Sequence, residues 1–156
     1  MPARSTTCAK TPSGCRVADT LPFKLVTPTQ VVFEGDAELV IAVTTEGEEG
    51  ILPRHAPFLA ALKPGVLRAN VLGQGAVSRL ELATSEGFLQ ALPDRLTILV
   101  DQALEAEQVD EHAAHAERDA ALARQRELTP QTAEYAREAA IVDFANAKIA
   151  LKRGSL

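Results

Sequence analysis

Aromatic residues are scarce: tryptophan is absent, there is one tyrosine, and Phe, Tyr and Trp together make up 4% of 156 residues. A core must therefore rest on Val, Leu, Ile and Ala. An alanine-built segment gains little from packing, because each methyl removes little surface from water. Cysteine is nearly missing too. Cys8 and Cys15 are the two present, and their spacing matches neither a zinc knuckle, a haem attachment site nor a disulfide scaffold. They read as passive thiols in a reducing cytoplasm. Basic charge is not in excess: the formal net charge of -5 excludes a general nucleic-acid binder, which shows a basic face. No apolar run approaches the ~20 residues of a membrane span. The opening MPARSTTCAKTPSGCR lacks the apolar segment of a secretory signal, so work at a membrane goes through a partner. A phosphate-cradling glycine loop and a nucleophile–base arrangement are also lacking. No catalytic residue, metal or cofactor is expected. His112 and His115, three apart on a helical segment, have no third ligand in the sequence and read as a solvated face.

What is present divides into three parts. Residues 1–20 are rich in Ser, Thr, Pro and Gly without periodicity, and read as a flexible tail. From 21 to 104 the signals are those of short strands. Phe23–Val26 is broken by Pro28, and Gln30–Phe33 runs into Glu34-Gly35-Asp36, a turn cluster. Leu39, Ile41 and Val43 share one face. Thr45–Gly50 reads as a polar loop, and Pro53 and Pro57 keep the next stretch irregular. Val66–Leu72 and Ala76–Ala83 flank the hairpin turn Gly73-Gln74-Gly75. Glu86–Ala91 and Arg95–Val100 follow. Many short strands at this spacing predict an antiparallel sandwich or barrel.

The composition then flips. Val109–Leu128 has neither Gly nor Pro and is full of Ala, Glu and Arg, a helix by propensity. Asp110 and Glu111 sit where a helix start favours negative charge. Thr129-Pro130 reads as a second start, with a hydroxyl cap and proline at the first helical position. Lys148, Lys152 and Arg153 come late in that helix, and Gly154 ends it. So short a connection folds residues 105–156 into an antiparallel two-helix hairpin. The class is thus α+β in two parts, an antiparallel sandwich or barrel followed by a helical hairpin; the family resemblance set out next implies the β-sandwich. The hairpin's apolar residues are mostly alanine, which gives weak docking. Propensity alone favours a static cap.

The run Thr45-Glu46-Gly47-Glu48-Glu49-Gly50-Ile51-Leu52-Pro53-Arg54-His55-Ala56-Pro57-Phe58-Leu59, continuing to Leu62-Lys63-Pro64-Gly65, resembles the signature of the ATP synthase epsilon family. That signature is a glycine-acid loop, a Pro-x-His-Ala-Pro stretch and a Lys/Arg-Pro-Gly turn. The resemblance covers residues 21–152. It implies a non-catalytic central-stalk (rotor) subunit of a bacterial, proton-translocating F-type ATP synthase. Such a subunit is peripheral, held at the cytoplasmic face of the plasma membrane through the complex. The sandwich is expected to bind the gamma subunit and rest on the c ring. The hairpin is expected either to fold on the sandwich or to extend to the alpha/beta catalytic head and block ATP hydrolysis, which makes it mobile.

On the matching positions, Glu48 is the ring-facing loop acid, with Arg54 and His55 in the same c-ring-facing loop. A solvated acid and a histidine that bonds a nearby carbonyl are the structural alternatives for Glu48 and His55. The family often has glycine where this chain has Arg54. In the hairpin, Asp110, Lys148, Lys152 and Arg153 are the regulatory candidates, the three cations as partners for acidic surfaces of the head. Some family members bind ATP through an Ile/Leu-Asp-x-x-Arg-Ala start. Here Val109-Asp110-Glu111-His112-Ala113-Ala114 keeps the aspartate but has alanine for the arginine, and arginine is the usual holder of phosphate. Weak or absent ATP binding follows. The competing reading is a free-standing nucleotide-sensing regulatory module.

Overall fold

A computed structural model of the protein describes residues 19–154. Of the tail expected over residues 1–20, residues 1–18, with both cysteines, lie outside the described residues. Nine strands come first: β1 Leu21–Val26, β2 Val31–Thr44, β3 Gly47–Ile51, β4 Phe58–Leu62, β5 Gly65–Gly73, β6 Ala76–Thr84, β7 Gly87–Leu92, β8 Arg95–Val100 and β9 Ala103–Glu105. A 3-10 turn, Ala106–Gln108, leads to helices α1 Glu111–Glu127 and α2 Ala133–Gly154. The expected β-sandwich and helical hairpin are both present.

The strands pair in the order β1-β8-β7-β4-β2-β5-β6-β9, with β3 also on β2, and β2 pairs β1 as well. All pairs are antiparallel except β1 with β8, which run parallel. Alternation sets the inside. Leu21, Phe23 and Leu25 of β1, Leu67 and Ala69 of β5, Leu89 and Ala91 of β7, and Leu96 and Ile98 of β8 are buried in one core. Period-2 burial of this kind removes one face of each sheet from water and leaves the other to solvent or to a partner.

Three local expectations are corrected. Glu34-Gly35-Asp36 is no turn; the chain runs straight through it inside β2. Gly35 lies opposite Phe23 in the ladder, and the Phe33 ring folds over it, 5.3 Å from the Phe23 ring. The aromatic pair covers the glycine and keeps the strand extended. The polar loop at Thr45–Gly50 is confined to the turn Thr45-Glu46, after which β3 pairs back on β2. Thr44 closes that turn, its Oγ1 donating to the Gly47 carbonyl at 2.9 Å and accepting from Glu46 N at 3.2 Å. Helix α2 starts at Ala133, not Pro130. The cap is Thr132, whose Oγ1 accepts from Tyr135 N at 3.2 Å, and Gln131 turns the chain with φ 77°. Leu39, Ile41 and Val43 do share a face, but it is the outer one. A register slip between Ala37 and Leu39 flips the phase, so Val40 and Ala42 point into the core.

The turn between β5 and β6 is a two-residue one, with φ 44° at Gln74 and 85° at Gly75. That pair of positive angles matches the right-handed twist of the flanking strands.

The glycines supply a direct test of this packing. A Cβ on Gly87 would stand 1.9 Å from the Leu99 carbonyl oxygen, whereas one on Gly73 meets nothing within 4 Å. Gly87→Ala should therefore cost about 3 kcal/mol in urea unfolding, because β7 and β8 must part to admit it. Gly73→Ala should stay within about 0.5 kcal/mol of the parent.

Candidate functional site

The loop between β3 and β4 holds two of the expected ring-facing residues. Arg54 has φ 62°, the left-handed region that costs most residues about 1–2 kcal/mol. This is why glycine suits the position. The guanidinium ion-pairs with Asp19 at 3.1 Å, both side chains well exposed. His55 closes the loop: its backbone N–H donates to Leu52 O at 3.2 Å, and its Nδ1 lies 2.8 Å from Ala56 O. A carbonyl can only accept, so Nδ1 carries a proton in this contact. The ring packs against Phe58 at 5.9 Å. The Nδ1 contact with a nearby carbonyl is the geometry set out above as the structural alternative for His55. Glu48 is not in this loop. It sits on β3 and pairs with Arg68 of β5 at 3.3 Å, so Glu48 and Arg54 have separate partners.

In the hairpin, Asp110 caps α1, its Oδ1 accepting from His112 N at 2.9 Å and Ala113 N at 3.2 Å. The three candidate cations of α2, Lys148, Lys152 and Arg153, are all engaged. Lys148 pairs with Glu117 of α1 at 2.7 Å and stands 4.3 Å from the centroid of the Phe144 ring. Arg153 pairs with Glu111 of α1 at 3.2 Å. Lys152 Nζ donates to Ala106 O at 3.0 Å, tying α2 to the turn that follows β9. Among the described residues no cluster suited to a metal occurs; His115 instead lies 3.6 Å from Glu111.

One unpartnered apolar feature among the described residues was not singled out in the sequence. On the outer face of the sheet β4-β7-β8-β1, the ladder aligns Ala61, Phe88, Leu99 and Val26 in one row. Phe88 is 60% exposed, Leu99 51% and nearby Leu59 72%. The row runs into a groove of about 830 Å³ between this end of the sandwich and Ala136, Ala139, Ala140 and Asp143 of α2. Glu86, Asp101 and Asp143 outnumber Lys63 on its lining. A signal did exist: Phe88-Leu89 and Ile98-Leu99-Val100 are apolar at both parities, as strands covered on both faces are.

A family model described as ATP synthase, Delta/Epsilon chain, beta-sandwich domain matches residues 20–106. The ATP synthase epsilon chain of Rhodospirillum rubrum is 35% identical over 138 residues, 88% of this chain and 100% of that one. The chain belongs to the ATP synthase delta/epsilon family. Another relative, the epsilon chain of Chromobacterium violaceum, is 40% identical over 98 residues, 63% of this chain and 69% of its own. Among solved structures, a chain in the cryo-EM structure of the Euglena gracilis mitochondrial ATP synthase, OSCP/F1/c-ring, superposes with TM-score 0.68. It is 18% identical and the match covers 94% of this chain and 86% of that one. A chain in the Tetrahymena thermophila mitochondrial ATP synthase central stalk/c-ring gives 0.53 at 17% identity, over 82% and 96% of the two chains. At these identities the likeness is one of fold, and it extends through the delta/epsilon sandwich into the hairpin.

The strained Arg54 separates shape from charge at this family position. Arg54→Gly should leave urea stability within about 1 kcal/mol of the parent. Relief of the left-handed backbone offsets the greater freedom of the unfolded chain and the loss of a surface ion pair. Arg54→Val should cost about 1 kcal/mol or more, since a β-branched residue tolerates that angle worst. A loss above about 2 kcal/mol for the glycine variant would mean the arginine side chain holds the loop.

Proposed function

We propose that this chain is the epsilon subunit of a bacterial, proton-translocating F-type ATP synthase, without a catalytic site of its own. It joins the gamma subunit to the c ring in the central stalk. Its helical hairpin restrains ATP hydrolysis by leaving the sandwich for the alpha/beta head. The observation that carries the gamma contact is the apolar row Ala61-Phe88-Leu99-Val26. An exposed row of large apolar side chains beside a groove is the usual mark of a protein-binding face. Glu48, Arg54 and His55 supply a polar region for the c ring. Asp110, already spent as a helix cap, and Ala113 in place of an arginine leave the hairpin poorly equipped to hold a nucleotide.

The gamma contact is tested by Phe88→Asp. Since Phe88 is 60% exposed, the variant should melt as the parent does yet capture gamma at least about tenfold less tightly, the loss usual for an aromatic anchor. Undiminished capture would place the gamma contact elsewhere.

The brake is tested by ending the chain after Gln108. This keeps β9 and the contact of Gln108 Oε1 with Glu105 N at 3.1 Å. The reconstituted complex should assemble and hydrolyse ATP several-fold faster. In the full chain, salt should weaken the inhibition, because Lys148, Lys152 and Arg153 act through exposed charge in the extended state. Hydrolysis unchanged by truncation at low and high salt alike would make the hairpin a static appendage.

A further inference from the structure

Helix α2 packs both on α1 and on β5 and β6, but it meets the sandwich closely only over its second half. There Phe144, Ala147 and Leu151 lie in one buried cluster with Ala83. In the first half Ala136, Ala139, Ala140 and Asp143, at i, i+3, i+4 and i+7, share a helix face. That face stands across the groove of about 830 Å³ from Val26, Phe88 and Leu99. Alanine side chains are too short to bridge it. A gap of this size is a binding cleft rather than a packing void. Its rim is acidic: Glu86, Asp101 and Asp143 stand against Lys63 alone. All three carboxylates belong to exposed residues. Among the described residues none of them is in an ion pair.

The chain carries a segment of matching chemistry. Residues 1–18 hold Arg4, Lys10 and Arg16 and no acid. The apolar residues from Pro2 to Pro12 are all small: Pro2, Ala3, Cys8, Ala9 and Pro12. Small side chains suit a cleft with an alanine wall. Reach is sufficient. The described chain begins at Asp19, held to Arg54 at 3.1 Å, and Val26 at the far end of β1 borders the groove. The six residues of β1 span about 20 Å. Residues 1–18, when extended, cover up to about 60 Å. Residues 13–18 are enough for the return along β1, which leaves 1–12 for the groove. Charge sets the direction: β8 starts at Arg95 and ends beside Asp101, so cations are repelled at one end of this sheet and attracted at the other. Because the segment is joined to the sandwich, its effective concentration is of order millimolar. Exposed ion pairs too weak to hold separate molecules then suffice.

We propose that residues 1–18 return along β1 and seat residues 1–12 in this groove, with Arg4 and Lys10 against Glu86, Asp101 and Asp143. The isolated chain thereby covers the groove end of its own apolar row. This contact is within one chain and does not depend on the gamma reading.

Nuclear magnetic resonance of the full isolated chain, with a nitroxide on Cys8 and Cys15→Ser to leave one thiol, tests this. The amide signals of Phe88, Asp101 and Ala140 should be selectively attenuated. Those of Val77 and Ser78, at the far end of β6 from the stretch that α2 covers, should keep their intensity. Added salt should lift the attenuation. Glu86→Gln, Asp101→Asn and Asp143→Asn together keep the groove's shape and should lower the docked-to-free ratio about tenfold, the combined effect of weak exposed pairs. Attenuation spread evenly over the sandwich would overturn the proposal and leave the groove to a partner protein. Selective attenuation that neither salt nor the triple variant reduces would overturn it too. So would equal attenuation in an isotope-labelled chain without nitroxide mixed with the spin-labelled one, because the occupant would then be a second copy.

Discussion

Strand β2 is the element on which both sheets depend. Along one edge it pairs first with β1, through residues 31–37, and then with β3, through 40–44. Along the other it pairs with β5 and, at Thr44, with β4. One strand thus closes the sandwich at both of its seams. It reaches from one layer to the other because of the slip near Glu38, which bends the strand and shifts its inward phase. Gly35 keeps its first half continuous under the Phe33 ring. Without that bend the 14 residues of β2 would belong to one sheet, and β1 and β8 would lose the parallel pairing that completes the other.

A second shared element, α2, sets what the sandwich presents. By covering Val66 and Ala83 it seals one end of the outer face of β5 and β6, while Val77 at the other end stays exposed. The outer face of β7 and β8 stays open, with Phe88 and Leu99 exposed. The chain therefore covers part of one outer sheet face itself and leaves another open. The proposed gamma contact and the stripe that docks the hairpin lie on different sheet surfaces, and both the apolar row and α2 border the groove.

Much of this was legible in the sequence because it rests on local rules. Strand alternation, the Gln74-Gly75 turn, the Asp110 cap and the change from β-rich to alanine-rich composition all act over a few residues. Two of the misreadings differ in cause. Glu34-Gly35-Asp36 has turn chemistry, and Thr129-Pro130 has helix-start chemistry, but long-range partners or a neighbouring cap won: Phe23 across the ladder in one case, Thr132 in the other. The apolar row was missed for a related reason. Each residue in it looks like ordinary core in its own strand, and only register brings Ala61, Phe88, Leu99 and Val26 side by side.

The sequence by itself determined the family, through the ordered run from Gly47 to Gly65, and the two-part architecture, through composition and periodicity. It also determined that Arg54 stands where the family often has glycine. Tertiary structure decided which partners the charged residues take: Glu48 with Arg68, Arg54 with Asp19, Lys148 with Glu117. It decided too that the hairpin rests on β5 and β6 and that a sheet face is left bare. The physical reason is range. Propensity, capping and turn formation are settled by neighbours in the chain. Ion pairs, stripe-on-sheet packing and exposure depend on which distant segments the sheet register and the β2 bend bring together.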